Sequence, residues 1–178
     1  VYTAAVGSKA LYDFIDDNPI CCCAPVDYVN NVNTISEIDN FISINSCIGL
    51  DLFGQVCSES AGYRQVSGTG GQLDFVQGAF ASKNGKSFMC THSTRRDSNG
   101  KLHSLIHPVL PAGSIVTTPR AAVNYVVTEF GAVNLKGKST WQRAEMLISI
   151  AHPDFREDLI REAEKMGIWR NTSKIEYL

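Results

Sequence analysis

The sequence predicts an α/β domain built on an open sheet with flanking helices. Short β-rich runs alternate with helical ones along the chain, and the last third holds two helices with clear start and stop signals. At 178 residues the chain can bury one substantial hydrophobic core and is short for two.

The chain opens at Val1 on Val-Tyr-Thr-Ala-Ala-Val, with no charged-then-apolar leader pattern, as a fragment of a longer protein would. Ser8 to Ile15 predicts a helix with Ser8 as N-cap and Leu11, Phe14 and Ile15 as its apolar stripe. Asn18-Pro19 ends it, because the residue before proline is pushed out of the helical region. Ile20 to Ala24 is a short extended run leading to Pro25. Asn40 to Asn45 predicts a strand, followed by Gly49 to Phe53 and a turn at Gly54. Ser87 to Cys90, Ser114 to Thr117 and Tyr125 to Thr128 predict further strands, the last rich in β-formers. Ser139-Thr-Trp-Gln142 has the form of a capping box, after which Ala144, Leu147 and Ile148 face a core up to His152. Pro153 then starts a second helix, Asp154 to Met166, with Phe155, Leu159, Ile160 and Ala163 on its apolar face and Gly167 closing it.

Composition excludes several function classes. With 44% hydrophobic and 19% charged residues the chain has an ordinary globular composition, and a formal net charge of -2 makes no electrostatic case for a nucleic-acid or acidic-membrane partner. No apolar run approaches the roughly 20 residues that span a bilayer. Cys21, Cys22 and Cys23 are adjacent, whereas Cys47, Cys57 and Cys90 stand singly, and there is no C-x-x-C pair. They predict buried or half-buried free thiols in a reducing, cytoplasmic setting.

Three segments could carry chemistry. Ser67-Gly-Thr-Gly-Gly-Gln-Leu-Asp-Phe75 holds three glycines in four positions, which allow left-handed backbone and bring N–H groups close to a ligand. Such a loop cradles a phosphate or the oxyanion of an acyl transfer, or else serves as a tight strand-to-helix turn. It has neither P-loop nor dinucleotide spacing, since Leu73 holds the third glycine position. Val126-Val-Thr-Glu-Phe-Gly131 puts Glu129 at the end of an apolar strand, at a functional edge or as a solvated strand-end acid. Val26-Asp-Tyr-Val-Asn-Asn31 ends in a turn at Asn30 and Asn31. His92, His103, His107 and His152 show no metal-ligand spacing, and His152 before Pro153 reads as part of a helix start.

Taken in order, eight segments resemble one family. They are Leu11 to Pro19, Pro25 to Asn30, Ser43 to Ser46, Asp51 to Val56, Ser67 to Phe75, Thr117 to Arg120, Val126 to Gly131, and Ile150 to Arg156. The chain resembles the acetyl-CoA hydrolase/transferase family, specifically the C-terminal domain of 4-hydroxybutyrate or butyryl-CoA:acetate CoA-transferases. The resemblance covers residues 1–178 as one C-terminal CoA-transferase domain. It implies a NagB/RpiA-like open sheet paired with an N-terminal domain that this chain lacks, with the active site between the two.

The implied reaction is a ping-pong transfer between an acyl-CoA and a short-chain carboxylic acid through a glutamyl-CoA thioester. Coenzyme A is then a substrate, no covalently bound cofactor or metal is implied, and a homo-oligomer is admitted. By the same resemblance Gly71, supported by Gly70, contacts the oxyanion or CoA. Asn30 approaches the catalytic carboxylate, Glu129 is a second, orienting acid, Ile48 offers backbone to the pantetheine, and Lys83 or Lys86 meets CoA more remotely. The family's nucleophile segment, Gly-x-His-Thr/Ser-Glu, is absent and is expected upstream of Val1, so this chain alone is expected to be inactive. Ser58-Glu59-Ser60 precedes the glycine loop and is expected not to replace it. Cys21 to Cys23 and Thr91 to Arg96 depart from the family pattern and are read as non-functional. An acetyl-CoA hydrolase and a non-catalytic half-domain are the alternatives.

Overall fold

The computed structural model describes residues 1–169. Its helices are α1 (Lys9–Ile15), α2 (Val26–Val29), α3 (Val32–Ser36), α4 (Gln72–Ala81), α5 (Thr140–Ser149) and α6 (Pro153–Lys165). The longer strands are β1 (Ile42–Ser46), β6 (Lys86–Cys90), β10 (Tyr125–Thr128) and β11 (Gly131–Asn134). Between them lie β2 (Gly49–Asp51), β3 (Val56–Cys57), β4 (Ser60–Ala61), β5 (Arg64–Gln65), β7 (Thr94–Arg96), β8 (Leu102–Ser104) and β9 (Ile106–His107).

The central sheet has the order β1-β6-β10-β11. Strands β1, β6 and β10 are parallel, and β11 folds back antiparallel on β10. Parallel neighbours need a long crossover. That from β1 to β6 carries a three-stranded sheet, β3-β2-β9, completed from further along the chain, and then α4. One core joins these layers: Leu50 and Val56 from the small sheet, Val76 from α4, Met89 and Val126 from the central sheet, and Leu147 from α5. Met89 and Val126 are register partners and turn into this core, so the alternating residues Phe88 and Tyr125 turn away from it.

The two C-terminal helices form as their caps predict. In α5 the Gln142 backbone N–H donates to the Ser139 hydroxyl and the Gln142 side chain accepts from the Ser139 N–H, which together make the capping box. Helix α6 begins at Pro153, and the His152 ring accepts from the Asp154 N–H at 3.2 Å. Gly167, at φ +67°, follows the helix.

Elsewhere the structure corrects the sequence. Ser114 to Thr117 is not a strand: the Ile115 N–H donates to the Ser60 hydroxyl, and the N–H groups of Thr117 and Thr118 share the Val56 carbonyl. Pro111 and Gly113 (φ +84°) bend the chain too sharply there for a ladder. Ile20 to Ala24 contributes only an isolated bridge between Tyr2 and Cys23. Helix α1 exists, but Leu11 and Phe14 lie exposed and the Ser8 hydroxyl makes no cap bond. All six cysteines are free, yet Cys22 and Cys23 are exposed rather than covered. Among the described residues, no helix is long and apolar enough to cross a membrane.

Candidate functional site

The parallel strands β1, β6 and β10 finish on the same side of the sheet, the edge where open α/β sheets place their ligands. The ladder continues past the strand ends: the Cys47 N–H donates to the Cys90 carbonyl at 3.2 Å and the Thr91 N–H to the Val127 carbonyl at 3.0 Å. Beyond them a groove opens, walled by Cys47, Ile48, Cys90, His92 and Glu129. Ile48 and Glu129, 81 positions apart in the sequence, are thus brought to one groove.

Glu129 follows β10 directly. Its Oε2 accepts the Ser93 N–H at 2.8 Å and its Oε1 accepts the Ser93 hydroxyl at 2.6 Å. Ser93 itself is fully buried. Partial desolvation works to raise the Glu129 pKa, but the Ser93 hydroxyl, backbone N–H groups and nearby His92 outweigh it and hold the carboxyl below its ordinary value. The result is an ionised carboxylate with a fixed orientation on the groove wall.

A second groove, of about 610 Å³, shares Ile48, Arg95 and Leu105 with the first and extends along the β7–β8 hairpin toward Phe155. His107 stands in it, and burial, with a smaller contribution from Arg95, lowers its pKa against the opposing pull of Asp51. Cys47 is half-buried against the apolar core, and desolvation pushes its thiol up to about 12, despite a Thr91 hydrogen bond that favours the thiolate. The shift disfavours the thiolate, the form in which a cysteine attacks. Among the described residues, no group of three or more His, Cys, Asp or Glu side chains could hold a metal ion.

The glycine loop is fastened beside the end of β1. The Ser67 hydroxyl donates to the Ser58 carbonyl, and the Ser58 hydroxyl donates to the Ser46 carbonyl, each at 3.4 Å. Of the loop glycines only Gly70 takes the left-handed conformation, at φ +54°. Gly71 is needed for a different reason. A Cβ there would lie 2.2 Å from the Asn30 side-chain nitrogen. Asn30 and Gly71 are therefore in contact, with the Asn30 amide also reaching Asp74 at 3.4 Å. Helix α4 starts at the next residue, where Gln72 donates to the Thr118 hydroxyl at 3.0 Å and to the Met89 sulfur at 3.7 Å.

Lys83 and Lys86 lie elsewhere. Lys86 opens β6, at the end opposite Cys90 and the groove, and Lys83 pairs with Asp39 at 3.5 Å on the surface. Glu59 is 3% exposed and lines neither groove, and its Oε2 is sealed without a hydrogen-bond partner. The run Thr91 to Arg96, read from sequence as non-functional, gives Thr91, His92, Thr94 and Arg95 to the first groove, only Arg95 to the second, and the Ser93 clamp to Glu129. No local pattern links Ser93 to an acid 36 residues away; only the parallel pairing of β6 with β10 does.

Residues 7–163 match the acetyl-CoA hydrolase/transferase C-terminal domain. The chain is 57% identical over 173 residues to the butyryl-CoA:acetate CoA-transferase of Anaerostipes caccae, covering 97% of this chain and 39% of that protein. It is 52% identical over 165 residues to the 4-hydroxybutyrate coenzyme A transferase of Clostridium kluyveri, covering 93% and 38%. The solved structure of RipA from Yersinia pestis is similar at a TM-score of 0.82 and 46% identity, over 91% of this chain and 36% of that one. The chain thus spans under two fifths of the length of these curated relatives.

Proposed function

Because the chain belongs to the acetyl-CoA hydrolase/transferase family, we propose that it is the C-terminal part of an acyl-CoA:carboxylate CoA-transferase acting on short-chain acids of the butyrate, 4-hydroxybutyrate and acetate type. In this reading residues 1–178 form one NagB/RpiA-like domain, and a glutamate upstream of Val1 is the nucleophile. Its carboxylate attacks the acyl-CoA carbonyl and releases the CoA thiolate, leaving an acyl-glutamyl anhydride. The thiolate returns to the glutamyl carbonyl, forming a glutamyl-CoA thioester and freeing the first acid. A second acid reverses both steps.

The observation that carries this reading is the Ser93 clamp on Glu129. An ionised carboxylate held by both oxygens in an open groove suits orientation better than attack, which is the part left for this chain once the nucleophile comes from elsewhere. Ile48 then offers backbone to the pantetheine, and Gly71 with Gly70 offers N–H groups to the oxyanion while Asn30 points at the reacting carboxylate. Lys86 stands roughly 13 Å down β6 from the groove, counting about 3.3 Å per residue, and Lys83 precedes that strand. Any contact they make is with the far end of the CoA.

The test is a peptide map of the full-length enzyme after butyryl-CoA and borohydride, which reduces a glutamyl thioester to an alcohol. The modified glutamate is expected before Val1. Reduction at Glu59 or Glu129 would refute the assignment. CoA release in the absence of any acid acceptor would favour the hydrolase instead.

A further inference from the structure

The central sheet is covered on one face only. On the other face the register sets Ile44, Phe88 and Tyr125 side by side across β1, β6 and β10. The Phe88 and Tyr125 rings stack at 4.9 Å between centroids. Ile44 is 70% exposed, and Ile42, next along the same face of β1, is 56% exposed. Sheets of parallel strands are ordinarily buried on both faces, since their crossovers lay helices against each. Here the small sheet and the core helices all contribute to the single core on the opposite side. The apolar row is a layer boundary with its second layer missing.

We propose that this row is the docking face for an apolar helix supplied by the part of the full-length protein that precedes Val1. The occupant follows from three observations. The chain matches a C-terminal domain and spans only 38–39% of the relatives' length, so in such proteins most of the polypeptide lies ahead of it. The uncovered surface belongs to parallel strands, whose ordinary cover is helical. Strands of five residues run about 16 Å, which about eleven residues of helix match. A second copy of this chain fits less well. Lys86 adjoins Ile42 across the strands, so two sheet faces pressed together would carry two ammonium groups into an apolar contact.

The test uses the full-length protein and makes no appeal to its activity. Ile44→Cys and, as an exposed control on the β7–β8 hairpin, Ser98→Cys are treated with iodoacetamide, and labelling is read at each position by peptide mass. Fragmentation of the labelled peptides separates residue 44 from Cys47, which lies three residues further along the same peptide. Residue 44 is expected to react at least about tenfold more slowly than residue 98, because a docked layer must open before the reagent enters. Equal rates overturn the proposal. Protection that disappears on dilution overturns it in favour of a second copy. Hydroxyl-radical footprinting of the unmutated protein reads the same surface at Phe88 and Tyr125, and oxidation there at the rate of the exposed Tyr63 also overturns it.

Discussion

Helix α5 buries four side chains, Arg143, Ala144, Leu147 and Ile148, whereas helix α1 buries none. Both have an apolar stripe at helical spacing and a serine at the N-cap. In α5 the stripe meets Val126 and Val133 of the central sheet in a common core, and the cap is completed by Gln142. In α1 the stripe meets solvent, with Phe14 55% exposed. An amphipathic pattern states that a face is to be covered and says nothing about what covers it. The α5 face is covered within this chain, and the α1 face is not.

The contrast can be broken most directly by truncating one leucine in each helix. Leu147→Ala is expected to cost about 2–5 kcal/mol in urea unfolding, and Leu11→Ala in the same chain no more than about 0.5 kcal/mol. Equal losses would show that α1 is packed as firmly as α5. In the full-length protein a loss above about 1 kcal/mol at Leu11 would mean that its face has found a partner.

Two adjacent glycines sharpen the same distinction between local conformation and contact. Gly70→Ala forces a side chain into left-handed backbone and is expected to cost about 1 kcal/mol of stability. Gly71→Ala has an ordinary φ, but its methyl displaces the end of the Asn30 side chain. On the proposed function it lowers turnover of the full-length enzyme about a hundredfold while stability falls by less than about 1 kcal/mol. The reverse pattern in steady-state kinetics and thermal melts would remove Asn30 from the site.

The caps give a smaller effect. Ser139→Ala is expected to cost about 1 kcal/mol by losing its bond to the Gln142 N–H, and Ser8→Ala only a few tenths, since its hydroxyl caps nothing. Smallest is the pH dependence of the Ser93 clamp. The folded pKa of Glu129 is depressed, so its stabilisation is present above the unfolded carboxylate value and disappears as pH falls through the folded one. An NMR titration of Ser93→Ala should move the Glu129 midpoint upward, and an unchanged midpoint would mean that the clamp does not hold the charge.

The parts of the fold legible in the sequence are those whose signals are local. Ser139 with Gln142, Pro153, and the valines of β10 specify their elements within a few residues. Helices α2 and α3 are too short, at four and five residues, to show a period, so only the turn between them could be read. Asn30 ends the first and Asn31 caps the second, accepting from the N–H groups of Asn33 and Thr34. The glycines before helix α4 read either as a ligand loop or as a tight strand-to-helix turn, and the helix does begin directly after them at Gln72. The site divides in the same way. Glu129 and Gly71 stand in recognisable segments, but the buried Ser93 meets Glu129 only because β6 and β10 run side by side. Pairing between distant strands leaves no trace in local spacing.

The two-point hold on Glu129 also acts as a ruler. Ser93 takes one acceptor position on each carboxylate oxygen, and the backbone of Glu129 itself engages the carboxylate further. The remaining acceptor directions are set by the position of Ser93 at the end of β6, rather than by rotation of the acid. Aspartate, one methylene shorter, would reach one donor at most and turn about it. The length of a single side chain thus decides whether this wall of the groove offers an incoming donor one direction or many.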